Sequence, residues 1–155
     1  MDDFGTTRFR TEQGNRILVQ VPGTEAERVL AAILEADTLT WGDYDQVSFT
    51  TAPGTQRFRS LPGGVNAPTE GTVGVECVEL QVFTAATGAD LERILLAVYA
   101  VHPYEEPVIQ LVPATRTLHI PGTDEDNPNR FWNRPDQDWI PQEHRRKQAH
   151  PDQRA

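Results

Sequence analysis

Apolar residues recur along the chain in two rhythms. The run Arg16-Ile-Leu-Val-Gln-Val-Pro22 is short, rich in β-branched residues and closed by Pro-Gly, which predicts a strand and a turn. Thr24-Glu-Ala-Glu27 matches a capping box, and Ala26, Val29, Leu30, Ile33 and Leu34 then fall at helical spacing, so a helix is expected over about 24–36. Further on, Glu76 to Thr84 alternates with a period of two. Val78, Leu80 and Val82 share one face, and Cys77, Glu79, Gln81 and Phe83 share the other. Thr87-Gly-Ala-Asp90 opens a second helix, striped by Leu91, Ile94, Leu95, Val98 and Tyr99, that runs to His102. Val108 to Pro113 then reads as a strand. Between these halves, Asp45–Thr51 and Gln56–Ser60 read as a hairpin closed by Ala52-Pro53-Gly54-Thr55, where Pro-Gly suits a type II turn.

The two halves echo each other. Glu27-Arg-Val-Leu-Ala-Ala-Ile-Leu34 and Glu92-Arg-Ile-Leu-Leu-Ala-Val-Tyr99 match position for position in character, each in a strand–turn–helix context. A duplicated β-α-β with one-sided helices and an inserted hairpin predicts an α+β, ferredoxin-like sandwich. Right-handed crossovers place both helices on one face of an antiparallel sheet. Short open-edged strands with an apolar face favour assembly through sheet edges. The expected organisation is a flexible arm over 1–15, a domain over 16–120 and a polar tail over 121–155. In that tail Phe131, Trp132, Trp139 and Ile140 are expected to dock, because tryptophan is costly to leave in water.

Composition narrows the partners. Fourteen basic and 23 acidic residues among 155 give a net charge of −9, which disfavours nucleic acid and anionic membrane. Residues 1–15 lack an apolar leader core, and no run approaches the roughly 20 apolar residues of a membrane span, so a cytoplasmic location is expected. Cys77 is the single cysteine, which excludes an intramolecular disulfide and a cysteine-based zinc site; it reads as an ordinary buried thiol. No Gly-x-Ser-x-Gly elbow or other nucleophile arrangement is present, and no catalytic residue is assigned.

Candidate chemistry concentrates in three places. His102-Pro-Tyr-Glu-Glu-Pro107 packs an imidazole, a phenol and two carboxylates between prolines that stiffen their presentation. His102 and Glu105 are competent ligands for a divalent metal. Equally, Tyr104 and Glu106 can serve an interface, with the whole turn acting as a fold-locking corner. In Gly42-Asp-Tyr-Asp-Gln46, Asp43 and Asp45 flank Tyr44 and can either join a cation site or make local turn bonds. The Gly/Pro-rich loop 61–74, containing Asn66, is long enough to be a ligand or partner contact, yet it carries no Lys or Arg to cradle a phosphate.

Three segments together resemble a known module: Gly42-Asp-Tyr-Asp-Gln-Val-Ser-Phe49, Arg57-Phe-Arg-Ser-Leu-Pro-Gly63 and the hexapeptide 102–107. They are similar to the domain inserted in YqfO-type proteins of the Nif-three (NGG-interacting factor three) family, itself similar to CutA and PII proteins. The resemblance spans about Arg16 to Pro113. It implies a PII/CutA-like fold assembled as a homotrimer, in which Asp43, Asp45, His102 and Glu105 approach near a subunit boundary. The dinuclear metal centre of the wider family lies in flanking halves and does not carry over to these residues. Ala36-Asp-Thr-Leu-Thr-Trp41 and the longer loop Gly63-Gly-Val-Asn-Ala-Pro68 depart from the family pattern. The favoured expectation is a non-catalytic trimeric binding or regulatory module for a divalent cation or small metabolite, with cofactor unknown and a protein partner reached through loop 61–74 or the tail. The alternatives are an enzyme or enzyme subunit with a site at the trimer interface, and a purely structural interaction module.

Overall fold

The computed structural model describes residues 4–135 and 141–144. Strands β1 (Phe9–Val21), β2 (Phe49–Thr50), β3 (Gly54–Phe58), β4 (Val73–Thr84) and β5 (Ile109–His119) are joined by helices α1 (Ala26–Ala36) and α2 (Gly88–Val101). The sheet is antiparallel in the order β2-β4-β1-β5, with β3 also paired to β4. Central β1 and β4, each followed by a helix, therefore give the duplicated β-α-β arrangement. Among the described residues no helix is long and apolar enough to cross a membrane.

The core lies between the sheet and the two helices. Ile17, Val19 and Val21 of β1 and Val78, Leu80 and Val82 of β4 point into it, in direct cross-strand register at Ile17–Val82, Val19–Leu80 and Val21–Val78. From the helices come Val29 and Ile33 of α1 and Ile94 and Val98 of α2. These are equivalent positions of the sequence echo. Tyr99, at the end of the expected stripe, is half exposed. Arg28 of α1 donates to the Val101 carbonyl at 2.7 Å, closing the end of α2 from its neighbour.

Four local expectations change. First, β1 begins at Phe9, because Phe9–Asn15 pairs with Pro113–His119 to form a two-stranded arm; much of it is solvent-facing, so its sequence is polar. Second, β5 accordingly runs on to His119. Third, β2 and β3 do not pair with each other. Both run antiparallel to β4, β2 against Leu80–Gln81 and β3 against Val73–Cys77. The chain thus continues through Ala52-Pro53 without reversing, and Gly54 lacks the positive φ a type II turn requires. The hairpin is instead β3–β4, and the long loop, residues 59–72, is its connection. Fourth, no capping box forms: Gly23–Glu25 is a 3-10 turn and Glu25 caps α1 without a side-chain bond.

The connection from α1 to β2 crosses the sheet face opposite the helices. Trp41 packs on Phe83 with ring centroids 5.7 Å apart, and its indole donates to the Thr117 carbonyl at 3.0 Å. Phe83 lies against Gly14, where a Cβ would sit 2.6 Å from its ring, so this contact requires glycine. Beyond β5, Asp124 gathers Arg8, Asn127 and Arg130 and ties the following segment to the base of β1. Burial opposes ionisation of Asp124, but these bonds together outweigh it and hold its carboxyl below the ordinary range. Phe131 packs on Trp132 and on the His144 ring, which also faces Tyr44. Trp139 and Ile140 lie outside the described residues.

Candidate functional site

The hexapeptide follows α2 directly, because Pro103 cannot continue a helix and pushes His102 into extended geometry at φ −68°, ψ 135°. His102 is buried and both ring nitrogens are engaged. Nδ1 accepts the Tyr104 backbone N–H at 3.1 Å, which leaves the proton on Nε2 to be donated to the Gln20 carbonyl at 2.9 Å. Gln20 in turn donates its own N–H to the Val108 carbonyl at 3.0 Å, so the imidazole fastens the corner to β1 next to the start of β5.

Tyr104 projects to the sheet face away from the helices. Its ring sits 5.0 Å from His102, and its hydroxyl meets the Cys77 sulfur at 3.4 Å. Burial, then the hydrogen bond and charge interaction with Cys77, push the phenol up to about 12. The neutral phenol is thus the form the fold prefers. Its contribution is complete below the ordinary value of 10.0 and is lost as pH rises through about 12. Ultraviolet titration of tyrosinate is expected to show a late component near pH 12 that disappears in Tyr104→Phe.

Cys77 opens a small polar group that the sequence did not single out. Its thiol faces Gln56 Oε1 at 3.9 Å, and Gln56 Nε2 donates to Gln20 Oε1 at 2.9 Å. Together with Thr51, Thr55, Glu79, Ala52 and Val78, these side chains line a hollow of about 260 Å³ beside the break between β2 and β3. Glu79 is the single ionisable carboxylate in this lining, and no basic residue contributes. The strand alternation that put Cys77 and Glu79 on the face away from the helices was the available signal. Gln20 and Gln56 carried none, since their meeting depends on strand register.

The remaining sequence candidates are dispersed. Glu105 turns toward the long loop and accepts the Val65 backbone N–H at 3.0 and 3.2 Å through its two oxygens. Glu106 and Asn66 are exposed. Asp43 lies in the tight turn Trp41–Tyr44, where Gly42 supplies φ +62°, and its carboxylate meets His119 Nε2 at 3.0 Å rather than a turn amide. Tyr44 and Asp45 are exposed on the same connection. Within one chain, Asp43 is therefore anchored at the C-terminal end of β5, whereas His102 is anchored on Gln20 near the end of β1. Among the described residues no three His, Cys, Asp or Glu side chains converge as a metal site would require.

No family model matches the chain. Over 101 residues it is 39% identical to the GTP cyclohydrolase 1 type 2 homologs of Mycobacterium tuberculosis and Mycobacterium bovis, and 33% identical to that of Mycobacterium leprae. Each match covers 62% of this chain and 26% of the relative, so the chain spans about a quarter of the length of the curated relatives it matches. Among solved structures, a Bacillus cereus protein related to NIF3 superposes with a TM-score of 0.55 at 25% identity, covering 73% of this chain and 27% of that one. The periplasmic divalent cation tolerance protein CutA from Archaeoglobus fulgidus matches with a TM-score of 0.48 at 21% identity, over 66% of this chain and 84% of its own. The α+β chain is thus homologous, over 62% of its length, to one part of the GTP cyclohydrolase 1 type 2 homologs, and it shares its fold with one part of a NIF3-related protein.

Proposed function

We propose that this protein is a non-catalytic binding module that assembles as a homotrimer and takes a small neutral or cationic ligand on the sheet face away from its helices. The observation that carries the reading is the hollow beside Cys77. It combines two carboxamides, two hydroxyls, a thiol and a carboxylate in a concave wall with no basic side chain. Such a lining offers hydrogen bonds in both directions and repels anions, which favours a polar metabolite or a cation over a nucleotide phosphate. His102 supports the wall rather than supplying a free ligand, since metal binding there would have to displace both of its hydrogen bonds. A cation held by Asp43, Asp45 and a neighbouring subunit's hexapeptide is the form the metal reading takes in an assembly. Exposed Phe49, Phe58 and Leu61 on and beside β2 and β3 support subunit contact along that edge.

Native mass spectrometry at micromolar concentration is expected to return a trimer. Calorimetric titration with Zn²⁺, Cu²⁺, ATP and a panel of primary amides and amines is expected to give binding for a cationic or neutral probe and none for ATP. Gln56→Leu and Glu79→Gln are each expected to weaken that binding about tenfold. A monomer would overturn the assembly, and binding of ATP alone would overturn the ligand class.

A further inference from the structure

We infer that the loop joining β3 to β4 is a strap with a fastened and a released state, and that Glu105 is its fastener. The neck of the strap is closed by two bonds: Ser60 N–H donates to Thr69 Oγ1 and Thr69 N–H donates to the Ser60 carbonyl, both at 3.0 Å. Its tip, Gly63-Gly-Val65, folds back so that the Val65 N–H meets both Glu105 oxygens. Gly63 takes φ +114°, which a side chain rarely adopts, and a Cβ on Gly64 would lie 2.5 Å from Glu105 Oε1. Two consecutive glycines thus admit the carboxylate to the tip amide.

Little else holds the tip. Val65 is 92% exposed and Leu61 60%, so fastening buries no substantial apolar surface. A charge-assisted bond in water is worth only a modest net free energy, and with no packing behind it the strap opens locally while the core stays folded. The fastener is adjacent in sequence to Tyr104, whose hydroxyl meets the Cys77 sulfur at the hollow. An acceptor or donor group on a partner that claims the Val65 amide or the Glu105 carboxylate competes directly with the closed state.

Hydrogen exchange read by mass spectrometry on the full chain tests this. In Glu105→Ala the Val65 amide within 61–72 is expected to exchange at least tenfold faster than in wild type, with 78–83 unchanged. Glu105→Gln, which keeps a neutral acceptor, should show a smaller increase. Gly64→Ala should reproduce the alanine result with Glu105 intact, because the added methyl group occupies the place of the carboxylate. Equal exchange over 61–72 in wild type and Glu105→Ala would overturn the strap. So would a matching rise over 78–83, which would make Glu105 a support of the whole fold.

Discussion

Arg116→Ala is expected to lower the stability of the protein by about 3 kcal/mol, the largest loss from any single side chain outside the helix-facing core. The Arg116 side chain is only 9% exposed and its guanidinium is engaged on every side. It binds Glu12, its direct cross-strand partner, through Nε at 3.0 Å and Nη2 at 2.5 Å, and donates through Nη1 to the Thr40 carbonyl at 2.9 Å. Its Cζ lies 4.3 Å from the Phe83 ring centroid and 5.1 Å from that of Trp41. Removing it leaves the Glu12 carboxylate without its cation and the Thr40 carbonyl without its donor. It also uncovers the Trp41 and Phe83 rings on the side where the guanidinium packs over both. Glu12 is a third exposed, which places the loss at the low end of what breaking a buried ion pair costs. For a chain of this length the corresponding fall in Tm is about 10 °C. Arg116→Lys keeps the charge but not the planar fork, and should recover less than half. Thermal unfolding followed by circular dichroism measures both, and an Arg116→Ala protein melting with wild type would show that the α1–β2 connection is held by other contacts.

The second large effect belongs to His102. His102→Ala orphans the Gln20 carbonyl and the Tyr104 N–H and leaves a void beside the Tyr104 ring, at a cost of about 2–3 kcal/mol. His102→Asn is the informative companion. Its side-chain oxygen can take the place of Nδ1 for the Tyr104 N–H, while the bond to Gln20 is lost, so about half the destabilisation is expected. Urea unfolding midpoints at unchanged slope provide the comparison. A fully stable His102→Ala would mean that the imidazole does not lock the corner, and would return it to the pool of available metal ligands.

These two residues differ in how far the sequence disclosed them. His102 stood out because prolines fix its backbone and a helix ends on it, and both are local effects. Arg116 did not, because its importance rests on Glu12, Thr40, Trp41 and Phe83, which are brought to it by the pairing of β1 with β5 and by the path of the α1–β2 connection. The candidate site divides the same way. The face on which Cys77 and Glu79 lie followed from alternation, but that Tyr104 would reach Cys77, Glu105 the Val65 amide and Asp43 the imidazole of His119 did not.

Legible in the sequence were the two helices, the strands that precede them, the residues each turns to the core apart from Tyr99, and the duplication that relates Val29 to Ile94 and Ile33 to Val98. Periods of 2 and 3.6 residues express burial on one side of a local element, and burial is written in side-chain type. Tertiary structure alone decided that β2 and β3 both pair with β4 and not with each other, and that polar Phe9–Asn15 is a strand. It also decided which polar side chains meet across the uncovered face. Those outcomes depend on register and on backbone hydrogen bonds between distant segments, which polar side chains facing solvent do not specify.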